Sequence, residues 1–518
     1  MRNSLYCLQL AVIEEEEKIS KQMYLVIIFT ATIATGICTH YLCKHLGLKL
    51  GIVDQPDNYR KVHKTAIPLT GGYSIFFSVF ILISCCYFFD FPEGILKSHS
   101  KALLVFAGGA IITLAMGALD DIKDIRPKWK ILFQIAAASL VYWAGFGITT
   151  ISLPYIGIVH FELLSYPITV IWFLGCMNAI NLLDGLDGLA GGVGFFASLT
   201  IMMSSIQQGS TLGACLGAIV AASIFAFLIF NFNPASVFLG DAGSMLIGFF
   251  VACMALITSS KSDALLALAI PFIAIGLPIF DTLAAIIRRW SRRVPISSAD
   301  RKHIHHVLLE KGFSQKKVVL ILYLVCLVLG GSSLLLSYGR DTAAISLLGA
   351  LGIICYLYAR RNGVIDIEQV QERIKMDRFE KRRGARAAVE VEKALHQFEK
   401  SQSLSQLWDY LSPALEALEL DHSELSVELN STSRTIDWKS EQYEKNHSQD
   451  LTHLDEWELT LKLFDGDTAF GHFKIAKISK DMPIRDVCYQ VNKLRHGLAQ
   501  QLNMINLKHT QANLKIDL

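Results

Sequence analysis

Charge is scarce in this sequence, and its two signs nearly cancel. Charged residues make up 18% of the 518 positions and the formal net charge is +2, whereas ordinary globular chains carry about 25% charged residues. A basic nucleic-acid-binding surface is therefore not expected, and we predict no nucleic-acid partner. Hydrophobic residues make up 52% of the chain, which argues against a soluble multidomain enzyme and favours membrane spans.

The sequence also lacks two common targeting and redox signals. None of its 11 cysteines are spaced as Cys-x-x-Cys, and most lie within or beside apolar runs, so we interpret them as small buried apolar side chains. A cationic signal-peptide start is absent, because Glu14 to Glu17 precede the first apolar run. We expect an uncleaved first span.

Long apolar runs recur along most of the chain. A helix needs about 20 apolar residues to cross a bilayer, so these runs predict a polytopic all-α membrane protein with about 11 transmembrane helices. The expected spans are residues 24–43, 73–91, 102–119, 131–149, 167–180, 191–206, 212–230, 244–260, 264–286, 318–337 and 343–360.

Lys and Arg are concentrated in alternate loops between these spans. One set of loops holds 18 of these residues and the other set holds four. Cationic loops stay in the cytoplasm, so the first set is predicted to face the cytoplasm. Residues 1–23 then form an extracytoplasmic segment, residues 24–360 form the multi-span domain, and the C-terminus lies inside.

The composition changes after Arg361, because no later window is apolar enough to cross a membrane. We predict a charged connecting helix at 361–400 and a soluble cytoplasmic α+β domain at 401–518. Helical spacing at 404–418, alternation at 425–429, 457–463 and 470–477, and helical spacing at 484–502 predict two helices, three strands and a closing helix. This order resembles a GAF-type sensory domain, for which we expect a regulatory or oligomerising role.

Acids and histidines gather in the predicted cytoplasmic loops, which indicates a polar site at that membrane face. Adjacent Asp120 and Asp121 point about 100° apart on a helix, so we expect one to face a metal or phosphate and the other to accept a proton. The alternative is a solvated, charged helix end. An ion-coupled transporter with an Asp/His relay is the alternative function, but a relay requires ionisable groups near the middle of spans.

Two glycine-containing turns carry further carboxylates. Asp184 and Asp187 could share a helical face, but the glycines beside them favour an irregular turn lining a polar cavity; a plain turn between spans is the alternative. In the second turn, Asp241 precedes a span whose N-terminal amides suit a Mg2+–diphosphate complex. A capping role for Asp241 is equally compatible. Asn181 and Asp241 offer the hard oxygen ligands that Mg2+ prefers.

His303, His305 and His306 lie in a loop with six Lys and Arg residues and no nearby thiol. We therefore favour phosphate or pyrophosphate binding over zinc. A basic loop attracted to anionic lipid is the alternative, and the two are compatible.

Taken in order, these motifs resemble the polyprenyl-phosphate N-acetylhexosamine-1-phosphate transferase family, part of glycosyltransferase family 4, over roughly residues 24–330. The strings are NAINLLDGLDGLAGG at 178–192, NFNPASVFLGDAGS at 231–244 and DRKHIHH at 300–306, with PIFDT at 278–282 before the last. Members of this family transfer a sugar 1-phosphate from a UDP-sugar to a membrane polyprenyl phosphate and release UMP. The resemblance implies Mg2+ as cofactor, with Mn2+ as an alternative.

The resemblance also implies roles for individual residues. Asn181 and Asp241 are expected to hold the metal, Asp120 and Asp121 to serve catalysis, and the histidine loop to take part in nucleotide-sugar binding. The same loops supply further candidates, which are Asp184 and Asp187 for catalysis and His63, Asn178, Arg301, His303, His305 and His306 for substrate binding.

The histidine pattern bears on the sugar. Ile304 interrupts the histidines, which resembles the branch of the family that uses UDP-N-acetylglucosamine, whereas the branch that uses a muramoyl-pentapeptide nucleotide shows three consecutive histidines. A lipid-linked sugar of this kind initiates a glycan such as O-antigen, exopolysaccharide or teichoic acid. A homo-oligomer is compatible with these expectations.

Overall fold

Long helices make up most of the chain in the computed structural model. The described residues are 2–55, 66–92, 94–123, 125–153, 157–257, 270, 272–295, 302–338, 340–361, 367–429, 432–440, 457–466, 468–477 and 484–514. The chain divides into two compact units, Met1–Ile367 and Glu368–Leu518.

The first unit is a bundle of helices with two short hairpins. Its helices are α1 (Arg2–Leu50), α2 (Gly71–Phe88), α3 (Ile95–Ser98), α4 (Ser100–Lys123), α5 (Pro127–Trp143), α6 (Ser165–Leu183), α7 (Leu189–Gln207), α8 (Thr211–Asn231), α9 (Gly240–Ile257), α10 (Gly276–Ser291), α11 (Ile304–Glu310), α12 (Gln315–Ser337) and α13 (Asp341–Arg361). Strands β1 (Val53–Asp54) and β2 (Ile67–Pro68) pair antiparallel, as do β3 (Thr150–Leu153) and β4 (Gly157–His160).

Eight helices in the described part of the chain are long and apolar enough to cross a membrane. They lie in α1, α2, α4, α6 with the turn before it, α7, α8, α9 and α12, and they overlap eight of the expected spans. The chain is thus a multi-pass membrane protein by the length and composition of its helices.

The other three expected spans stay predictions. Residues 131–149 overlap α5, which has 17 residues, and residues 343–360 overlap a shorter apolar helix at Thr342–Leu357. Residues 264–286 extend into a part of the chain that the structure does not describe.

Helices α8 and α9 form the centre of the bundle. In their most apolar stretches, 89% of the residues of α8 and 94% of those of α9 are buried, against 28% in α1. A helix that is apolar all round is stable only where neighbours surround it. Since α9 begins at Gly240, the most enclosed helix of the unit fixes the position of the Gly240–Asp241 turn.

Small residues allow α2 and α4 to approach the start of α9. A Cβ atom added to Gly117 of α4 would lie 2.2 Å from the Cα of Ala242, and one added to Gly72 of α2 would lie 2.4 Å from the backbone nitrogen of Gly243. Close backbone approach through small residues is how helices pack in membranes. It brings the C-terminal end of α4, with Asp120 and Asp121, against the first turn of α9.

The described residues of the second unit form three helices and one sheet. These are α14 (Ile367–Phe398), α15 (Leu404–Ala417), β5 (His422–Leu429), β6 (Thr432–Lys439), β7 (Trp457–Asp465), β8 (Thr468–Lys477) and α16 (Ile484–Leu514). The four strands are antiparallel in the order β6-β5-β8-β7. Alternate strand residues such as Leu425 and Phe473 share a buried cluster with Val391, Leu411 and Leu498 of the three helices.

The structure has one strand more than the sequence pattern predicts. Strand β6 lies at the edge of the sheet and pairs only with β5 among the described strands. Its apolar side chains are Ile436 and Trp438, and the rest are polar or charged, so the alternation is too weak to identify it. An edge strand needs little apolar surface because one of its sides has no neighbouring strand.

We predict that Gly117→Ala destabilises the first unit. The methyl group that this substitution adds would force α4 away from backbone atoms of α9. Overpacking of this kind lowers the free energy of unfolding by about 1–3 kcal/mol. Thermal unfolding of the protein in detergent measures the loss. Gly175→Ala is the matched control, because a Cβ at Gly175 in α6 meets no atom within 4 Å; a comparable loss in both variants would contradict this packing argument.

Candidate active site

The acidic residues of several distant loops converge on one cleft in the first unit. The cleft has a volume of about 420 Å3. Its carboxylate lining residues are Asp54, Asp121, Asp184, Asp187 and Asp241, and the remainder are Leu69, Gly185, Leu186, Asn231, Phe238, Leu239 and Gly240. So many carboxylates repel one another, and their contacts therefore determine what the cleft can bind.

Lys130 lies between two of the acids at this site. Its Nζ donates to Asp241 Oδ2 over 2.9 Å and forms an ion pair with Asp120 Oδ2. The backbone N–H of Ile125 donates to Asp120 Oδ1 over 2.8 Å. Because the Asp120 side chain is only 2% exposed, it requires such partners to remain charged. Lys130 of α5 thus joins a carboxylate at the end of α4 to one at the start of α9.

Asp121 caps the first turn of α9. Its Oδ1 accepts from the N–H of Asp241 over 2.7 Å, and its Oδ2 accepts from the N–H of Ala242 over 3.2 Å. Gly240 has φ +73°, and a Cβ there would lie 2.7 Å from Asp121 Oδ2, so only glycine suits both the turn and the contact. These amides are occupied within the protein, which corrects the expectation that they are free for a diphosphate and that the cap is Asp241.

Asp120 and Asp121 therefore contact different elements, as their angular separation on a helix predicts. Asp120 faces Lys130 of α5, whereas Asp121 faces the backbone of α9. The contacts of Asp121 indicate that it positions Asp241.

The two residues expected to hold a metal lie side by side. Asn181 Nδ2 donates to Asp241 Oδ1 over 2.8 Å and to Ser244 Oγ over 2.9 Å. Asn181 belongs to the last turn of α6 and Asp241 to the first turn of α9. Two helices that are adjacent in the bundle thus present one amide and one carboxylate at the same point.

An irregular turn separates α6 from α7, as the two glycines predict, and its two acids have unlike surroundings. Asp187 Oδ2 accepts from Asn233 Nδ2 over 2.9 Å and from the N–H of Ala235 over 3.1 Å. Asp187 therefore holds the loop that leads into α9.

The Asp184 carboxylate, by contrast, makes no hydrogen bond or ion pair with the described residues. It reaches the open cleft, yet the protein around it is dense. Burial raises the pKa of Asp184 to about 8, with further contributions from the negative charges of Asp241, Asp121 and Asp187. Asp184 is thus the carboxyl group of the cleft whose charged form is least favoured without a ligand to neutralise it.

The histidine motif reaches the same region through the turn after α6. A Cβ on Gly185 would lie 2.9 Å from Nε2 of His305, so the two are in direct contact. The rings of His305 and His306 have centroids 4.3 Å apart. Burial, followed by the neighbouring His306, lowers the pKa of His305 to about 4, so its ring is neutral at pH 7 and cannot itself neutralise a phosphate.

A buried carboxylate on α10 fixes the start of this motif. His303 Nδ1 lies 2.8 Å from Asp281 Oδ2, and the N–H of Ile304 donates to Asp281 Oδ1 over 3.0 Å. A carboxylate only accepts, so Nδ1 carries the proton of this bond and Nε2 is the ring nitrogen left for a ligand. Asp281 is 1% exposed, which makes it a positioning residue.

The remaining predicted residues have two different outcomes. Asn178 does not line the cleft, because its Nδ2 donates to Gln134 Oε1 over 2.8 Å and Gln134 Nε2 donates back over 3.3 Å. His63 and Arg301 lie outside the described residues. The motifs did not identify Lys130 or Asp281 as site residues, although Lys130 lies in a cationic loop and Asp281 is the acid of the PIFDT string.

The donor set at the cleft fits a hard divalent cation that is completed by a substrate. Within the described residues, no three His, Cys, Asp or Glu side chains gather as a metal site by themselves. Mg2+ is usually held by one or two carboxylates together with phosphate oxygens and water. Asp184, with its unpartnered carboxylate, and the adjacent Asn181 and Asp241 match that pattern.

Comparisons with known proteins agree with the motifs. The family model described as glycosyl transferase family 4 matches residues 103–259. The chain is 35% identical over 350 residues to the probable undecaprenyl-phosphate N-acetylglucosaminyl 1-phosphate transferase of Bacillus subtilis, a match that covers 67% of this chain and 94% of the relative.

Two further relatives come from other bacteria. The decaprenyl-phosphate N-acetylglucosaminephosphotransferase of Mycobacterium tuberculosis is 32% identical, with 62% of this chain and 85% of the relative covered. The undecaprenyl-phosphate alpha-N-acetylglucosaminyl 1-phosphate transferase of Salmonella typhi is 29% identical, with 58% and 80% covered.

Removing the cap on α9 is expected to reduce stability. Asp121→Ala leaves two amides of the first turn without an acceptor, and loss of a helix cap costs about 0.5–2 kcal/mol. Thermal unfolding in detergent without added Mg2+ measures it. Asp184→Ala is the control from the same cleft; it removes a carboxyl group that has no hydrogen bond or ion pair with the described residues, so it should leave stability unchanged or raise it. Equal losses in both variants would show that the cap is not what stabilises the turn.

Proposed function

Since the chain belongs to glycosyl transferase family 4, we propose that it transfers N-acetylglucosamine 1-phosphate from UDP-N-acetylglucosamine to a polyprenyl phosphate and releases UMP. The structural observation that carries this proposal is the pair Asp120 and Asp241, which share Lys130 beside a cleft of carboxylates. A cleft of this charge suits a substrate diphosphate that arrives with a divalent cation.

The reaction requires placement more than covalent chemistry from the protein. An oxygen of the lipid phosphate attacks the β-phosphorus of the nucleotide sugar, a new P–O bond forms there, and the bond from that phosphorus to the bridging oxygen breaks. UMP leaves with the bridging oxygen. Positioning and neutralisation of charge supply most of the acceleration in such transfers.

Each residue near the cleft has a proposed part in this placement. Asn181, Asp184 and Asp241 hold Mg2+, which when bound neutralises the diphosphate and the departing UMP. Asp121 keeps Asp241 in place through the two amides of α9. Asp120 receives the proton of the lipid phosphate or orients that phosphate, and Lys130 fixes its position between α4 and α5.

Nucleotide-sugar binding is assigned to the histidine motif. Asp281 holds His303 with Nε2 free for a ligand, and His305 contacts the turn that carries Asp184. The motif therefore adjoins the proposed metal site.

The arrangement in the membrane is also a proposal. Apolar runs support 11 spans, and loop charge supports an extracytoplasmic N-terminus, with the cleft and the second unit on the cytoplasmic side of a bacterial inner membrane. An ion-coupled transporter is not favoured, because the acids of the cleft lie at helix ends and in turns instead of at mid-span.

The defining experiment is an assay of UMP release by purified protein. We expect UMP and a lipid-linked sugar only when polyprenyl phosphate, Mg2+ and UDP-N-acetylglucosamine are all present, and little product with UDP-glucose or the muramoyl-pentapeptide nucleotide. UMP release that does not depend on the lipid would refute the transfer reaction.

Asp241→Asn tests the metal assignment. We expect an activity loss of about 100-fold or more, because an electrostatic contribution to the transition state is lost, and a higher Mg2+ concentration for half-maximal rate. Initial rates over a Mg2+ titration measure both. Asp90→Asn is the matched control, since Asp90 forms an exposed ion pair with Lys97 away from the cleft. An unchanged Mg2+ dependence in Asp241→Asn would remove Asp241 from the metal site.

A further inference from the structure

The second unit carries a cleft of its own, which the transfer reaction does not use. It has a volume of about 680 Å3. Helix α14 contributes one wall, and the C-terminal end of α15 with the residues just after it contributes the other. The lining residues are Phe379, Arg382, Arg383, Arg386, Glu390, Pro413, Glu416, Ala417 and Glu419.

Two of the three acids in this lining are already paired. Arg383 forms an ion pair with Glu419, and Glu390 Oε1 accepts from Lys393 Nζ over 2.7 Å. The guanidinium groups of Arg382 and Arg386 have no ion pair or hydrogen bond with the described residues, and neither has Glu416. The lining as a whole has three arginines and three glutamates and is formally neutral, but Arg382 and Arg386 are two cations whose charge is not taken up by an ion pair with the described residues.

A buried lysine lies next to the ion pair of Arg383 with Glu419. Lys477 is 2% exposed, and its Nζ donates to the backbone oxygen of Glu419 over 2.7 Å. Burial, followed by the nearby charge of Arg383, lowers the pKa of Lys477. The positive groups are thus close enough to affect one another, which is how anion sites are built.

The spacing along α14 suits an elongated, partly aromatic anion. Residues 379, 382 and 386 lie on one face of the helix, and at 1.5 Å per residue they extend over about 10 Å. Phe379 is 59% exposed and offers a ring face for stacking. Guanidinium groups bind phosphate oxygens in pairs. A planar base followed by two or three phosphates matches this order.

We propose that this cleft binds a nucleoside di- or triphosphate, with the phosphates on Arg382 and Arg386 and the base against Phe379. The site is independent of the transfer reaction, so it would make the second unit a nucleotide-responsive part of the chain whether or not the transferase assignment is correct.

The test is equilibrium dialysis of radiolabelled ATP against the full-length protein in detergent with EDTA, because the carboxylate-lined first cleft accepts a phosphate only together with a divalent cation. We expect saturable binding, and a dissociation constant roughly tenfold or more higher in the double variant Arg382→Gln/Arg386→Gln, because two charge-assisted contacts are lost. Arg378→Gln is the matched control, because Arg378 is an exposed cation on the same helix that does not line the cleft. The affinity of this variant for ATP should stay within twofold of the wild-type affinity.

A second arm separates a nucleotide site from a bare phosphate site. Phe379→Leu should weaken ATP binding and leave competition by inorganic diphosphate unchanged. If diphosphate competes as well as ATP in the wild type, the base has no site and the nucleotide proposal fails. Absence of saturable ATP binding at millimolar concentration, or equal affinity of the double variant and Arg378→Gln, would overturn the site altogether.

Discussion

The carboxylate of Asp121 joins the end of α4 to the start of α9, and the geometry of the first cleft depends on this contact. It binds the amides of Asp241 and Ala242, while Gly117 lets the two helices approach. Because α9 is almost wholly enclosed, its first turn cannot shift without disturbing the core of the bundle. Asp241 is therefore presented to Asn181 and Lys130 from a rigid support, as a site of defined geometry requires.

Charge repulsion is the second constraint, and the cleft resolves it differently for each acid. Asp120 and Asp241 share one lysine, whereas Asp121 and Asp187 accept hydrogen bonds from the backbone or from an amide. Only Asp184 keeps a carboxylate without a partner among the described residues. Its charged form is disfavoured in the free protein and gains most when a cation binds, which links Asp184 to the proposed ligand.

The sequence predicts the elements of the site better than their contacts. Apolar runs locate the spans, and glycines beside Asp184 and Asp187 identify the irregular turn, because both signals are local. The ion pair of Lys130 joins residues 111 positions apart, and the pairing of Asn178 with Gln134 depends on which faces of α5 and α6 meet. No local pattern encodes such contacts. Strand β6 was not predicted for a related reason, because an edge strand needs few apolar residues and its alternation is therefore weak.

The two clefts illustrate different ways of holding a phosphate. In the first unit carboxylates dominate, so a phosphate can enter only with a cation that reverses the local charge; this arrangement suits a reaction in which the charge changes as bonds form and break. In the second unit the lining has as many arginines as glutamates, and the two arginines without an ion pair bind phosphate directly through fixed forks that stay charged at any physiological pH. Arginines of this kind hold a ligand without supplying a base or a nucleophile, so the second cleft is built for recognition and the first for transfer.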